Sequence, residues 1–439
     1  MATCTFLAHP QPRDGGDYRH RIVLPGTALA RHLSVAELQT THPDHVRRAV
    51  DAALLVVCMV ADDAIEAIVE ERRHRGRPTV YELSDDFRDF PDALPLAAFY
   101  RDPAVQARIE RLAASADLLQ CSSHALLRRY GALNPNGVVL PNQLDALPPL
   151  EAAHPRTCRE AVLGWAGSLG HLDDARELAA RLLDWCAVRG LAPQARPTIR
   201  LMAPAAIRQV FESAGLRTDW QAPGSFDRYL AFLAGLDIGF ATIDDRAFSI
   251  GRSDGKFLEY ASRGVVCIAS ARGEYLHGVR DRVTGLLYRD RDGFVAALDA
   301  VWDDVDARAR IRAAAYAHLR SERTHEVAAH RRAALYRALL ARAGLQAPPG
   351  EGRLLRIEDP SEATLTQATL AHAQGRLDEA LAGYLEVSRR HPAFHLPWAR
   401  AAMIARAIGA GSDAQCFAAI AADALRAALA ASGEVPAPA

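Results

Sequence analysis

Lysine is almost absent from this chain. Its 439 residues hold 52 lysines and arginines together, and Lys256 is the single lysine. Lysine is ordinarily among the commonest residues, so wherever a cation was interchangeable this sequence uses arginine. An ammonium is a compact, strongly hydrated point charge suited to a phosphate oxygen, whereas a guanidinium is a planar fork suited to bidentate pairing. Lys256 is therefore a candidate phosphate contact. The alternative is an ordinary surface pair with Glu259, three residues on along a helix.

Other absences narrow the class. Net charge is nearly zero, at −1 with a pI near 7, which argues against a broad basic surface for nucleic acid or an anionic membrane. The seven cysteines, at 4, 58, 121, 158, 186, 267 and 416, form no CxxC and no regular spacing. They read as buried thiols of a reducing compartment, not as disulfides or zinc ligands. The longest apolar run, residues 52–61, is too short to span a bilayer, and residues 1–12 lack a basic segment followed by an apolar core. No transmembrane segment and a cytoplasmic location are the expectation.

Half of the residues are hydrophobic, enough for more than one core. Candidate strands at 4–8, 21–24, 54–60, 79–83, 118–121 and 138–140 alternate with helical patterns at 64–74 and 103–116. Strands alternating with helices predict a parallel sheet covered on both faces. Prolines 148, 149 and 155 mark a linker. The alternation restarts with strands at 161–166, 198–202, 238–241, 265–269 and 284–288, and a last helix reaches about Gly344. Two doubly wound, Rossmann-like units follow, residues 1–150 and 157–345. A break at residues 347–352 leads to a helical region in which Gly375 and Gly409, and Ala380 and Ala414, are 34 residues apart. Ala380, Tyr384 and Pro392 fall at landmarks of a tetratricopeptide repeat. Residues 361–428 read as one good and one degraded repeat, with an ordinary helical hairpin as the alternative, and 429–439 as a disordered tail. Such repeats need about three copies to bury a core, so the pair is expected to dock on the main body, a protein partner or a second copy.

In doubly wound sheets ligands bind where strand carboxyl ends meet helix N-termini. Leu163-Gly-Trp-Ala-Gly-Ser-Leu-Gly-His171 is such a turn. Its glycines at 164, 167 and 170 are not spaced as GxGxxG, and no GK[ST] follows, which disfavours dinucleotide and P-loop sites. Gly167 and Ser168 still allow a pyrophosphate close to the backbone, or serve only a tight turn. His171 begins the following helix, three residues before Asp174, a site pattern or a plain capping pattern. Ser253 reads as the N-cap of a helix through Arg263, which projects Arg252, Lys256, Glu259 and Tyr260 toward one side. Two cations near a helix start suit a diphosphate, and a carboxylate suits ribose hydroxyls because it only accepts.

The stretch Ser253-Asp-Gly-Lys-Phe-Leu-Glu-Tyr-Ala-Ser-Arg-Gly-Val-Val-Cys-Ile-Ala-Ser270 resembles the donor-binding half of GT-B glycosyltransferases, family 4-like members especially. The likeness takes in residues 164–174, 237–245 and 281–288 and, more weakly, 15–19, 80–86, 116–123 and 140–145. It implies a GT-B fold, two Rossmann-like domains facing a cleft, with a hexose moved from a UDP- or GDP-sugar to an acceptor held by the N-terminal half. By resemblance Lys256 and Arg252 hold the diphosphate, Glu259 the ribose, Gly167 and Ser168 lie near the phosphates with Ser253 beside them, and His171 faces the sugar or phosphate. Retention of configuration is also implied, with the leaving diphosphate taking the acceptor's proton, so that no protein nucleophile, cofactor or metal is needed. Two departures stand out. Gly251 replaces the first of the family's paired glutamates, and the phosphate cation after the glycine turn is missing.

Asp85-Asp86 and Asp244-Asp245 read as acceptor contacts or caps in preference to metal ligands. Tyr18 and Arg19 are further cleft candidates with equally plausible packing roles, and Arg289 and Arg291 read as surface cations before a helix starting near Asp292. Three other readings stay open: a noncatalytic nucleotide-sugar scaffold or sensor, a nucleotide-sugar epimerase, and a pure interaction protein.

Overall fold

The computed structural model describes residues 3–92, 94, 96–150 and 161–431. Two wholly parallel sheets organise the chain. The first contains β1 (Cys4–Ala8), β2 (Val35–Gln39), β3 (Leu54–Cys58), β4 (Thr79–Leu83), β5 (Leu118–Cys121) and β6 (Gly137–Val139). The second contains β7 (Leu163–Ala166), β8 (Thr198–Met202), β9 (Arg217–Gln221), β10 (Ile238–Ala241), β11 (Val266–Ser270) and β12 (Leu286–Tyr288). A last short strand, β13 (Leu354–Arg356), returns to the first sheet beside β2, giving the order β13-β2-β1-β3-β4-β5-β6; the second runs β12-β11-β10-β7-β8-β9. The central strands are buried end to end, as apolar runs covered by helices on both faces must be.

Several expectations are corrected. Arg21-Ile-Val-Leu24, read as a strand, is helical: a π-helix over Arg19–Val23 continues into the helix Leu24–Leu29. A short apolar run does not distinguish a strand from a buried helix, and here Ile22, Val23 and Leu29 pack over the first sheet. The sequence reading missed β2, β9 and β13. The last helix of the second unit, His325–Arg342, lays Ala333, Tyr336, Leu339 and Leu340 into the core of the first sheet. The break near residue 350 is followed by an edge strand of the first sheet, not directly by helices.

Two chain crossings join the halves and run side by side. Leu144 N–H donates to Arg323 O at 2.9 Å, and His325 N–H to Leu144 O at 2.8 Å. Residues 151–160, which include much of the expected linker and Cys158, lie outside the described set.

Four helices close the described chain: Ser361–Ala373, Leu377–Arg390, His395–Ala407 and Gly411–Ala431. Gly375 and Gly409 end the first and third with φ of +75° and +80°, a left-handed conformation that glycine adopts without Cβ strain. The region docks on the first half, with Leu425 and Leu429 against its core and Thr41 Oγ1 donating to Glu362 at 3.3 Å. Residues 429–431, expected in a disordered tail, end the last helix; 432–439 lie outside the described residues. By length and composition that helix is apolar enough to cross a bilayer, although Asp423 and Arg426 interrupt it. Cys416 on it is exposed, unlike the buried thiols at 4, 121, 186 and 267.

Candidate functional site

A cleft of about 740 Å³ separates the two sheets. Its walls are segments leaving strand carboxyl ends: Gln11 after β1, Ser84 and Asp85 after β4, Ser122 after β5, His171 after β7 and Ile243 after β10. The second wall is completed by Arg252, Ser253, Lys256 and Glu259 around the helix Gly255–Ser262. Five sequence candidates, Lys256, Arg252, Ser253, Glu259 and His171, thus line one space. Gly167 and Ser168 do not line it. A Cβ at Gly167 would lie 2.5 Å from the Trp165 indole, so packing accounts for that glycine.

Lys256 leans back across the β7 end. Its ammonium donates to Ala166 O and sits 4.9 Å from the centre of the Trp165 ring, where the ring face attracts a cation. Burial pulls its pKa down to about 8, with Glu259 opposing and Arg252 reinforcing the shift. Glu259 accepts from Tyr229 Oη at 2.5 Å, which fixes the carboxylate and leaves its other lone pairs for a ligand.

Arg252 lies over the Phe248 ring, its guanidinium carbon 5.1 Å from the ring centre, with Nη1 3.3 Å from Gly170 O and 3.7 Å from Asp174 Oδ2. His171 Nδ1 is 2.6 Å from Asp174 Oδ2. Arg252 Nη1, which can only donate, lies 3.0 Å from the same ring nitrogen. Burial first, then the charges of Arg252 and Lys256, hold His171 well below the usual imidazole range, so it is neutral at pH 7.

The helix start differs from the sequence reading. Asp254, not Ser253, is the N-cap residue, and its side chain makes no cap hydrogen bond. The fully buried Asp254 carboxylate instead pairs with Arg323 at 2.8 and 2.9 Å. Ser253 Oγ accepts from Asn142 Nδ2 at 3.0 Å. These two contacts tie the site helix to both chain crossings. Gly251 lies against the first half: its carbonyl accepts from Ser123 Oγ at 2.7 Å, and a Cβ there would lie 3.1 Å from Leu126 Cδ2. A side chain at that position would require Leu126 to shift by a few tenths of an ångström.

Asp86 is buried and structural, accepting from the Tyr130 hydroxyl and ion-paired with Arg129, whose Nε lies 2.8 Å from Oδ2. Asp85 faces the cleft, hydrogen-bonded to Asp17, and is pushed well above the usual carboxylate range by burial and then by the Asp17 charge. Asp244 caps its own loop through Arg246 N–H at 3.0 Å, and Asp245 is exposed. Among the described residues no three His, Cys, Asp or Glu gather as for a metal ion. Tyr18 is buried behind the cleft, Arg19 stacks 4.8 Å from Phe226 across the domain boundary, and Arg291 pairs at the surface with Asp184 at 3.0 Å. Arg289 is exposed. Sequence reasoning missed Asp17, His20, Asn142 and Tyr229. Asp17 and Asn142 had a signal in segments 15–19 and 140–145; His20 and Tyr229 are placed only by the tertiary fold.

Solved structures share this fold. Sucrose-phosphate synthase from Thermosynechococcus elongatus aligns with a TM-score of 0.56 at 14% identity, covering 78% of this chain and 100% of that one. Anabaena HepE, crystallised with UDP and glucose, aligns with a TM-score of 0.53 at 14% identity, covering 77% and 100%. The chain has the GT-B fold. No protein-family model matches it, and no curated protein matches it in sequence. In this GT-B chain the cleft between the sheets is the one lined by Lys256 and Arg252, and the four C-terminal helices with β13 follow the two Rossmann-type units.

Proposed function

We propose that this protein is a metal-independent, retaining glycosyltransferase that moves a hexose from a nucleoside-diphosphate sugar, UDP-linked in preference to GDP-linked, to an acceptor held by the N-terminal half. The observation that carries this reading is the gathering of Lys256, Arg252 and the Tyr229-anchored Glu259 on one wall of the inter-sheet cleft. Anabaena HepE, of the same fold, was crystallised with UDP and glucose, which supports uridine.

Lys256 and Arg252 are suited to take the negative charge that develops on a departing diphosphate, and Glu259 to take two ribose hydroxyls. The leaving phosphate itself receives the acceptor's proton on the face from which it departs, so the protein contributes charge stabilisation and exclusion of water. Removing one such preorganised cation costs about 3 kcal/mol, roughly a hundredfold in rate. A cytoplasmic location accompanies this reading, since buried unpaired thiols suit a reducing compartment.

Gly251 favours a second reading, a nucleotide-sugar-binding scaffold without turnover, because the family's glutamate is absent there and a side chain at that position would crowd Leu126. Thermal-shift measurements with UDP, GDP, TDP and their sugars, together with turnover of the stabilising donor, separate the two. Stabilisation by uridine nucleotides that largely disappears in Lys256→Ala, with donor turnover, is the expected result. Stabilisation without turnover supports the scaffold, and no stabilisation by any nucleotide overturns both.

A further inference from the structure

A second cavity, of about 390 Å³, opens from the cleft on the side away from Lys256. The two spaces share seven lining residues, Asp17, Arg21 and Asp85 among them, so they are continuous through the Asp17–Asp85 pair. The far end of the second cavity is made by the C-terminal helices, which contribute Thr369 and Arg400.

Its chemistry is graded from one end to the other. At the cleft end the two carboxyls share a hydrogen bond, and the charge of Arg252 acts on Asp85 from the donor wall. A hydroxyl held by this pair therefore lies beside the proposed transfer point. The middle is aromatic and apolar: Phe99 and Tyr100 pack edge to face at 5.1 Å, and Phe90 lies 4.7 Å from Tyr100. At the far end Arg400, half-buried, has no hydrogen-bond or ion-pair partner among the described residues. The neighbouring His9 Nε2 is buried and also unpartnered. The other guanidinium, Arg21, belongs to the junction of the two spaces and is anchored there through Nε to Glu82 at 2.6 Å and Nη1 to Leu140 O at 3.0 Å, with Nη2 buried and unpartnered. A half-buried cation beside an unsatisfied imidazole is a costly arrangement unless an anion completes it.

We propose that this cavity is the acceptor site, and that it takes a small molecule with a hydroxyl at the Asp17–Asp85 end, an apolar or aromatic body, and an anionic group bound by Arg400 and His9. The C-terminal helices are thereby part of the substrate site as well as a docking region. The acceptor role rests on the glycosyltransferase reading; the anion selectivity of the cavity does not.

The test uses the full chain and a matched pair of probes, 4-hydroxyphenylacetate and its neutral amide, with binding followed by calorimetry or ligand-observed NMR. The carboxylate should bind about tenfold or more tightly than the amide. That preference should vanish in Arg400→Ala and return in Arg400→Lys, with UDP binding unchanged in both variants and unfolding temperature confirming that each is folded. Equal binding of the two probes, no binding of either, or a preference that survives Arg400→Ala overturns the proposal. Loss of UDP binding in the unmodified protein would overturn the functional reading while leaving the probe selectivity to decide the cavity.

Discussion

Titration of Lys256 gives donor binding a pH dependence whose size follows from the structure. Burial holds this ammonium at about 8, against 10.5 for a free lysine. A diphosphate on Nζ returns it toward the ordinary value, because an adjacent anion favours the charged form. The bound state then holds more protons than the free state between pH 8 and pH 10.5, so affinity falls as pH rises through that window. Binding of UDP should take up about half a proton at pH 8 and essentially none at pH 6. Between pH 7 and pH 9 the association constant should fall about tenfold, or about 1.4 kcal/mol. Calorimetry in two buffers of different ionisation enthalpy measures both quantities. Asp85 is also displaced upward in the same cleft, so Lys256→Arg serves as the control: arginine keeps the cation and does not titrate here. The reasoning is refuted if the unmodified protein shows no steeper pH dependence than Lys256→Arg.

Other outcomes follow from the same contacts. Arg323→Ala leaves the fully buried Asp254 carboxylate without its bidentate partner and should cost about 3 to 5 kcal/mol, read as a fall in unfolding temperature; an unchanged temperature contradicts the assignment. Gly251→Glu, which restores the paired-glutamate pattern, should destabilise by about 1 to 3 kcal/mol through the Leu126 contact without raising turnover, and a stable, faster variant would show that the position has room. Where the C-terminal helices dock, burial holds His395 at about 3 and His42 at about 4. Both lie below the usual 6.5, so the unfolded chain binds protons that the folded chain does not, and stability present above pH 6.5 is lost as pH falls toward 4. For His395 the loss at pH 5 is about 1 to 2 kcal/mol, and the drop in unfolding temperature from pH 7 to pH 5 should be smaller in His395→Phe.

The strongly apolar strands were legible because a β-strand buried on both faces reads as a bounded β-branched run: the expected spans for β1, β4, β5, β8 and β10 match the structure. The missed strands lack that signature. Edge strand β9 carries Arg217, Asp219 and Gln221 on a mostly solvated surface, and β13 is three residues long. Arg21-Ile-Val-Leu24 misled because β-branched residues also suit a buried helix, and what decides there is long-range, Arg21 reaching Glu82 and Leu140. At the site, Lys256, Arg252 and Glu259 were legible because they occupy one local motif on one helix start. Asp254 was not, because its partner Arg323 is 69 residues away. The Asp17–Asp85 pair and Arg400 come from three distant segments that only the packed chain brings to one cavity.

The most direct measurement is a crystal structure of the full chain with UDP-glucose. The account predicts diphosphate oxygens within hydrogen-bond reach of Lys256 Nζ and the Arg252 guanidinium, with the ribose on Glu259. A nucleotide bound outside the cleft, with the Lys256 ammonium still turned back on Ala166 O, would contradict it.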